Sequence, residues 1–312
     1  MGLSGGAVVA LLFPGQGSQT VGMGRELAAA FPEARAVFEE ADSVLGFALS
    51  KLCWEGPEEE LTETRNAQPA ILTHSLAVHR VLGSRIGPVG HAAGHSLGEF
   101  SAWVAAGGIT LADGIRVVRR RGELMFHGGQ EREGAMAAIL GLEDEAVEDV
   151  CRRASAEGGD CVPANYNAPG QLVISGDRPT VERAMELARE AGAKRAVPLN
   201  VSGAFHSPLM QVAEAGLQAV LGQVPFTEPA FPIVSNVTAE PVRDAVDGRR
   251  LLVEQLTSPV RWTASMRTLV AAGAERFLEL GPGNVLAGLL KRVDRAATSV
   301  SVGTAEDVRG FA

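Results

Sequence analysis

Gly94-His95-Ser96-Leu97-Gly98 is the segment that most restricts how this chain can fold. It is a G-x-S-x-G sequence with a short strand pattern before it, His91–Gly94, and a run of helix formers after it, Leu97–Ala106. A strand that turns straight into a helix at a serine needs glycines on both sides, because the two backbones cross closely there. Such a turn belongs to a sheet covered by helices, and it lifts the serine hydroxyl to the top of that sheet. The new helix aims its free N–H groups and positive dipole end at any oxyanion forming beside the serine. The same residues would also suit a turn whose serine merely caps the helix. The strand-to-helix context favours a nucleophile.

The rest of the chain reads as α/β. Ala7–Phe13 is the first strand candidate, followed by the turn Pro14-Gly15-Gln16-Gly17-Ser18-Gln19. Helical patterns come next, with Pro32 in the first turn of one of them. A longer helix is expected from about Gln68 to Leu82, and another from Leu111 to about Phe126, closed by Gly128-Gly129. The character then changes. Ala135–Leu140 reads as a strand, Asp144–Ala156 as a helix, Cys161–Tyr166 and Leu172–Ser175 as strands, Pro179–Ala191 as a helix and Arg195–Leu199 as a strand. That β-α-β-β-α-β order is the order of a ferredoxin-like unit. Alternation resumes with strand candidates at Phe231–Ser235 and Arg276–Leu280. The expected organisation is a large α/β domain over 1–131 and 201–312 with a small subdomain inserted at 132–200.

Composition narrows the function classes. The 312 residues are 46% hydrophobic and 21% charged, which suits a globular protein with a full core. A formal net charge of -9 argues against broad binding to nucleic acid or anionic membranes, although a local basic patch remains open. No apolar stretch approaches the ~20 residues of a membrane span, and the N-terminus lacks the basic region of a leader, so a cytoplasmic location is expected. Cys53, Cys151 and Cys161 are widely spaced and read as reduced structural thiols. Histidine and cysteine spacing indicates no metal site. Gly15 and Gly17 follow a strand, but the third glycine of a dinucleotide fingerprint is misplaced. Gly281-Pro282-Gly283 leads to Leu289 where a phosphate loop requires lysine.

A serine hydroxyl needs a base. His95 adjoins Ser96, and its side chain should diverge at a sharp turn. His74 and His79 lie in a helical stretch, and His91 and His127 sit at element ends. His206 lies in a segment of small residues, Asn200 to Pro208, between a strand and a helix. It is a candidate base there, and an ordinary loop histidine is the competing reading.

Several motifs occur in a telling order. They are Gly15-Gln16-Gly17-Ser18-Gln19, Gly94-His95-Ser96-Leu97-Gly98-Glu99, Arg121-Gly122 with Met125, Asn165-Tyr166-Asn167-Ala168-Pro169-Gly170-Gln171, Gly203-Ala204-Phe205-His206-Ser207 and Glu279-Leu280-Gly281-Pro282-Gly283. From about residue 7 to 303 the chain resembles the malonyl-CoA:acyl carrier protein transacylases and the related acyltransferase domains of polyketide synthases. The resemblance implies an α/β-hydrolase-like core with an inserted ferredoxin-like subdomain. It also implies Ser96 as nucleophile and His206 as base, with an oxyanion hole from the backbone N–H groups of Gln16 and Leu97. The imidazole would be oriented by a backbone carbonyl near Gln255 in place of a carboxylate, which physically suffices to fix its tautomer.

Arg121, which alone would read as one more charge on a basic helix face with Arg119 and Arg120, is placed by the resemblance in the acyl pocket. A guanidinium there could bind the free malonyl carboxylate through two hydrogen bonds. Phe205 matches the malonyl-selective pattern, and Asn165, Asn167, Gln16 and Gln255 join the expected substrate-binding set. The implied partners are coenzyme A thioesters and an acyl carrier protein serving fatty acid or polyketide synthesis, with phosphopantetheine belonging to the carrier and no cofactor on this chain. Arg119, Arg120, Lys291 and Arg292 are basic candidates for carrier docking, and solvated faces explain them equally well. A monomer is the default expectation. A serine hydrolase on the same scaffold is the rival, and Arg121 discriminates, because a hydrolase of simple acyl groups has little need of it.

Overall fold

In the computed structural model, which describes residues 8–311, the apolar run near the N-terminus lies inside a six-stranded sheet. The strands along the described chain are β1 (Val9–Phe13), β2 (Val89–Gly94), β3 (Gly134–Leu140), β4 (Cys161–Ala168), β5 (Gln171–Asp177), β6 (Arg195–Pro198), β7 (Ile233–Val234), β8 (Pro241–Val242), β9 (Arg276–Leu280) and β10 (Thr298–Val302). Ala7, where the sequence reading starts the first strand, lies outside the described residues. The large sheet has the order β10-β9-β1-β2-β7-β8, parallel except for the short β7–β8 pair.

A parallel strand covered on both faces is apolar throughout, and β1 (Val-Ala-Leu-Leu-Phe) is buried along its whole length. Its period of two sorts the side chains. Val9, Leu11 and Phe13 enter one core, whereas Ala10 and Leu12 enter a second with Val234, Trp262, Met266 and Phe277. The functional turns leave the carboxyl ends of β1 and β2, where Phe13 pairs with Gly94.

The second sheet has the order β4-β5-β3-β6 and is antiparallel throughout. Helices Asp144–Ala156 and Arg178–Glu190 pack over it around a separate core that includes Ile139, Val147, Val150, Leu172, Ile174, Val181 and Leu187. β4 touches the rest of the molecule through the Val260 backbone, which donates to Ala164 O at 2.8 Å and accepts from Tyr166 N at 2.9 Å.

Helix Leu111–Glu131 departs from expectation, because it runs straight through Gly128-Gly129. These glycines are needed for close packing rather than as a stop. A Cβ on Gly129 would lie 2.0 Å from Ser202 O, and one on Gly128 would press on Val212 at 3.1 Å. Helix Gln211–Gly222 is the one expected after the His206 segment, whereas strand β10 and helices Ala245–Glu254, Trp262–Ala271, Val285–Val293 and Ala305–Gly310 were not individually anticipated. Among the described residues no helix is long and apolar enough to cross a membrane, and no cluster of His, Cys, Asp and Glu could hold a metal ion. Cys53, Cys151 and Cys161 are free and buried.

Candidate active site

The glycines around Ser96 answer to backbone crossings. A Cβ on Gly94 would meet Gly98 C at 1.8 Å, and one on Gly98 would meet Phe13 O at 2.0 Å. The turn they permit holds Ser96 at φ 50 and ψ -106, a costly conformation for a residue with a side chain. His206, at φ 57, is strained in the same sense. Ser96, His206 and Ala239 are the only non-glycine residues with positive φ among those described.

The two side chains meet, with Ser96 Oγ 2.8 Å from His206 Nε2. On the far side of the ring, Nδ1 lies 2.8 Å from the Gln255 carbonyl oxygen. A carbonyl oxygen only accepts, so Nδ1 carries the proton and Nε2 is left to accept from the serine hydroxyl. Burial depresses the His206 pKa to about 3, helped by the Arg121 charge and opposed by the Gln255 carbonyl. The imidazole therefore stands neutral, in the protonation state of a base.

Arg121 is 1% exposed, directly after Arg119 and Arg120 in its helix but turned to the buried face. The residue after it explains how it gets inside. Gly122 sits where a Cβ would lie 2.7 Å from Arg65 Cα and Thr64 O, so its helix packs tightly against helix Thr64–Leu82. Arg121 Nη1 donates to Gln68 Oε1 at 2.8 Å, and Nη2 donates to Gln255 Oε1 at 2.9 Å and to Ser96 Oγ at 3.1 Å. The guanidinium stacks 5.3 Å from the centre of the Phe100 ring. Its buried Nε has no hydrogen-bond partner among the described residues. Burial lowers its pKa to about 10, which leaves it charged, with Glu99 acting the other way.

Leu97 and Gln16, which the resemblance implies as oxyanion donors, both line the cleft that holds Ser96. Leu97 opens helix Leu97–Ala105, and a first-turn N–H has no intrahelical acceptor. Gly15 brings the β1 turn against the nucleophile, since a Cβ on it would sit 2.4 Å from His95 O. The Gln16 side chain is tied away, donating to Thr64 Oγ1 at 3.1 Å.

Gln16, Ser96, Leu97, Arg121, Asn165, Phe205 and His206 line one cleft of about 470 Å³, along with Met125, Met136 and Leu199. Two expected substrate residues stand apart from that wall. Asn167 accepts from His95 Nε2 at 2.8 Å and faces a neighbouring cleft. Gln255 is fully buried behind Arg121. His95 diverges from Ser96 as anticipated, with its ring 5.4 Å from that of Trp262. Arg119 and Arg120 both pair with Glu123, and Arg292 donates to the Pro169 carbonyl at 2.9 Å. A larger cleft of about 730 Å³, between residues 20–27 and 303–307, is lined by His74 and Ser301, but the Ser301 hydroxyl donates to Glu279 Oε2 at 3.1 Å instead.

Three residues of the site had no role in the sequence reading. Asn236 Oδ1 accepts from Ser96 N at 2.7 Å, and its Nδ2 donates to Gly94 O at 2.7 Å. Gln68 positions Arg121. Glu99 accepts from Asn236 N at 3.1 Å and from Gln255 Nε2 at 2.7 Å. A turn asparagine straight after the strand candidate Phe231–Ser235 was the one local signal available for Asn236.

A serine with a neutral base, free amides at a helix start and a buried cation can carry out acyl transfer through a serine ester. The comparisons point the same way. The model of the acyl transferase domain matches residues 10–310. The malonyl CoA-acyl carrier protein transacylase of Bacillus subtilis (strain 168) is 48% identical over 301 residues, 96% of this chain and 95% of the relative. The protein of the same name in Escherichia coli (strain K12) is 46% identical over 285 residues, 91% and 92% of the two chains. Among solved structures, an acyl-carrier-protein-S-malonyltransferase from Bartonella henselae aligns with a TM-score of 0.93 at 43% identity, covering 97% and 98%. A malonyl-transacylase solved in complex with its type II PKS acyl-carrier protein aligns with a TM-score of 0.94 at 42% identity, covering 98% and 99%. The chain belongs to the acyl transferase family, and within it to the malonyl CoA-acyl carrier protein transacylases.

Proposed function

We propose that this enzyme moves a malonyl group from malonyl-CoA to the phosphopantetheine thiol of an acyl carrier protein, through an ester on Ser96. The observation that carries the assignment of roles is the relay from Ser96 Oγ through His206 to the Gln255 carbonyl, set against the buried Arg121. In the first half-reaction His206 Nε2 takes the Ser96 proton as Oγ attacks the thioester carbon. The amides of Leu97 and Gln16 receive the developing oxyanion. His206 then returns the proton to the departing coenzyme A thiolate. In the second half the carrier thiol gives its proton to His206 and attacks the ester, releasing Ser96. A buried guanidinium that lines the cleft and donates to Ser96 Oγ suits a pocket for an acyl group with its own carboxylate, and a hydrolase of simple acyl groups has little need of it.

The strand order of the small sheet, with its two helices, supports reading 132–200 as an inserted ferredoxin-like subdomain in an α/β-hydrolase-like core at 1–131 and 201–312. The pantetheine arm belongs to the carrier, so we assign the chain no cofactor of its own. Fatty acid synthesis is the primary setting. A polyketide carrier is the second reading, favoured by the relative solved with a type II PKS acyl-carrier protein.

Intact-protein mass after brief exposure to malonyl-CoA tests the assignment, with and without holo acyl carrier protein. A malonyl adduct on Ser96 that the carrier discharges is the expected result. An adduct that water clears as fast as the carrier does would replace the transferase with a hydrolase.

A further inference from the structure

Glu99 is a carboxylate with 1% exposure, and its partners are two amides and the Ser235 hydroxyl. Its Oε2 accepts from the backbone N–H of Asn236 and from Nε2 of Gln255. Burial raises its pKa to about 7 against the pull of those donors. The Gln255 amide is held at both ends. Its NH₂ faces the carboxylate and also lies 3.1 Å from Ser96 O, while its oxygen faces the Arg121 guanidinium. A guanidinium only donates and an ionised carboxylate only accepts, so the two ends select the same amide orientation. The main-chain oxygen of that same Gln255 orients His206. Glu99 does not bond to His206, so it is not the missing acid of a triad.

We propose that Glu99 is a positioning residue for the acyl pocket: through the Gln255 amide it holds the Arg121 guanidinium against Ser96, and thereby sets the preference for an acyl group bearing a free carboxylate. The inference rests on the malonyl-transfer reading above. It separates two consequences of losing Glu99. Loosening Asn236 disturbs the nucleophile turn and slows every acyl donor alike. Loosening Gln255 releases Arg121 and harms malonyl alone, because acetyl has no carboxylate for the guanidinium to bind.

The test is single-turnover acylation of the full chain by malonyl-CoA and by acetyl-CoA, with melting temperature recorded for each variant. Glu99→Ala is expected to lower the malonyl-to-acetyl rate ratio by about tenfold or more, the effect of losing one hydrogen bond in a charged, buried chain. Glu99→Gln, which keeps an accepting oxygen, recovers most of the ratio. Gln255→Ala lowers it as Glu99→Ala does, and combining the two lowers it no further. If Glu99→Ala does not fold, Glu99→Met fills the volume without accepting and takes its place. Equal losses for both donors, or ratio effects that multiply in the double variant, overturn the proposal. A wild-type chain showing no preference for malonyl would instead overturn the functional reading on which the proposal rests.

Discussion

Replacing Asn236 by aspartate removes one donor and nothing else in size, at the point where the nucleophile turn is clamped. The wild-type amide gives its NH₂ to Gly94 O and takes the Ser96 N–H, both at 2.7 Å, in a fully buried position. An ionised aspartate keeps the second bond and turns the first into two oxygens facing each other. The lost bond and the stranded carbonyl cost about 1–3 kcal/mol. A second buried carboxylate also arrives beside Glu99, which accepts from the backbone N–H of this same residue. Together these amount to roughly 3 kcal/mol at pH 8. At about 2 °C per kcal/mol for a chain of this size, the melting temperature should fall by roughly 6 °C. Ser96 loses its fixed φ, so acylation should slow about tenfold or more. The new carboxyl has a raised pKa in the folded state, so its penalty shrinks as pH falls and protonation restores a donor toward Gly94 O. Thermal melts and single-turnover acylation at pH 5.5 and pH 8 would show both effects. A variant that melts and reacts like wild type at pH 8 would refute the clamp.

Arg121→Ala should lower kcat/KM for malonyl-CoA about 100-fold or more, from the loss of two charge-assisted hydrogen bonds to the substrate carboxylate, while acetyl-CoA falls far less; parallel losses would remove Arg121 from substrate choice. Because the folded pKa of His206 is depressed to about 3, its neutral form persists well below pH 6.5, and acylation of Glu99→Gln, which lacks the carboxyl raised to about 7, should stay flat from pH 8 to about pH 5. An inflection near 6.5 that persists in Glu99→Gln would contradict this. The same depression acts on stability: the unfolded chain binds the proton near 6.5 and the folded chain only near 3, so the contribution of His206 to stability is intact above 6.5 and lost progressively between those values. Acid titration of wild type against His206→Gln should show the difference. Phe205 is 6% exposed on the cleft wall, and if its ring limits the space for a branch at the acyl C2, Phe205→Ser should raise methylmalonyl use relative to malonyl by about 10-fold or more in a competition assay.

What was legible in the sequence divides along the range of the forces involved. The turn at Ser96 could be read directly, because strand, glycines and helix are neighbours in the chain. Helix Asp144–Ala156 and strand Arg276–Leu280 were read with their observed bounds, the first as an amphipathic run and the second as a short, mostly apolar one. His206 was only one of several open histidines until the ordered motifs singled it out, because 110 residues separate it from Ser96. Asn236, Gln68 and Glu99 act through tertiary hydrogen bonds that leave no periodicity behind. Gly128-Gly129 misled for a related reason: a glycine kept for contact with a distant backbone looks, in one dimension, like a glycine that ends a helix.

That glycine pair sets a trap for anyone stabilising this enzyme by design. Alanine in place of glycine inside a helix ordinarily gains about 1 kcal/mol, so residues 128 and 129 would head a list of routine improvements. At Gly129 the added methyl would drive into Ser202 O, four residues before the base. The clash is with main chain, so the variant would lose more stability than the helix gains or lever the His206 segment off its serine, and a design ranked on helix propensity alone would choose wrongly at this position.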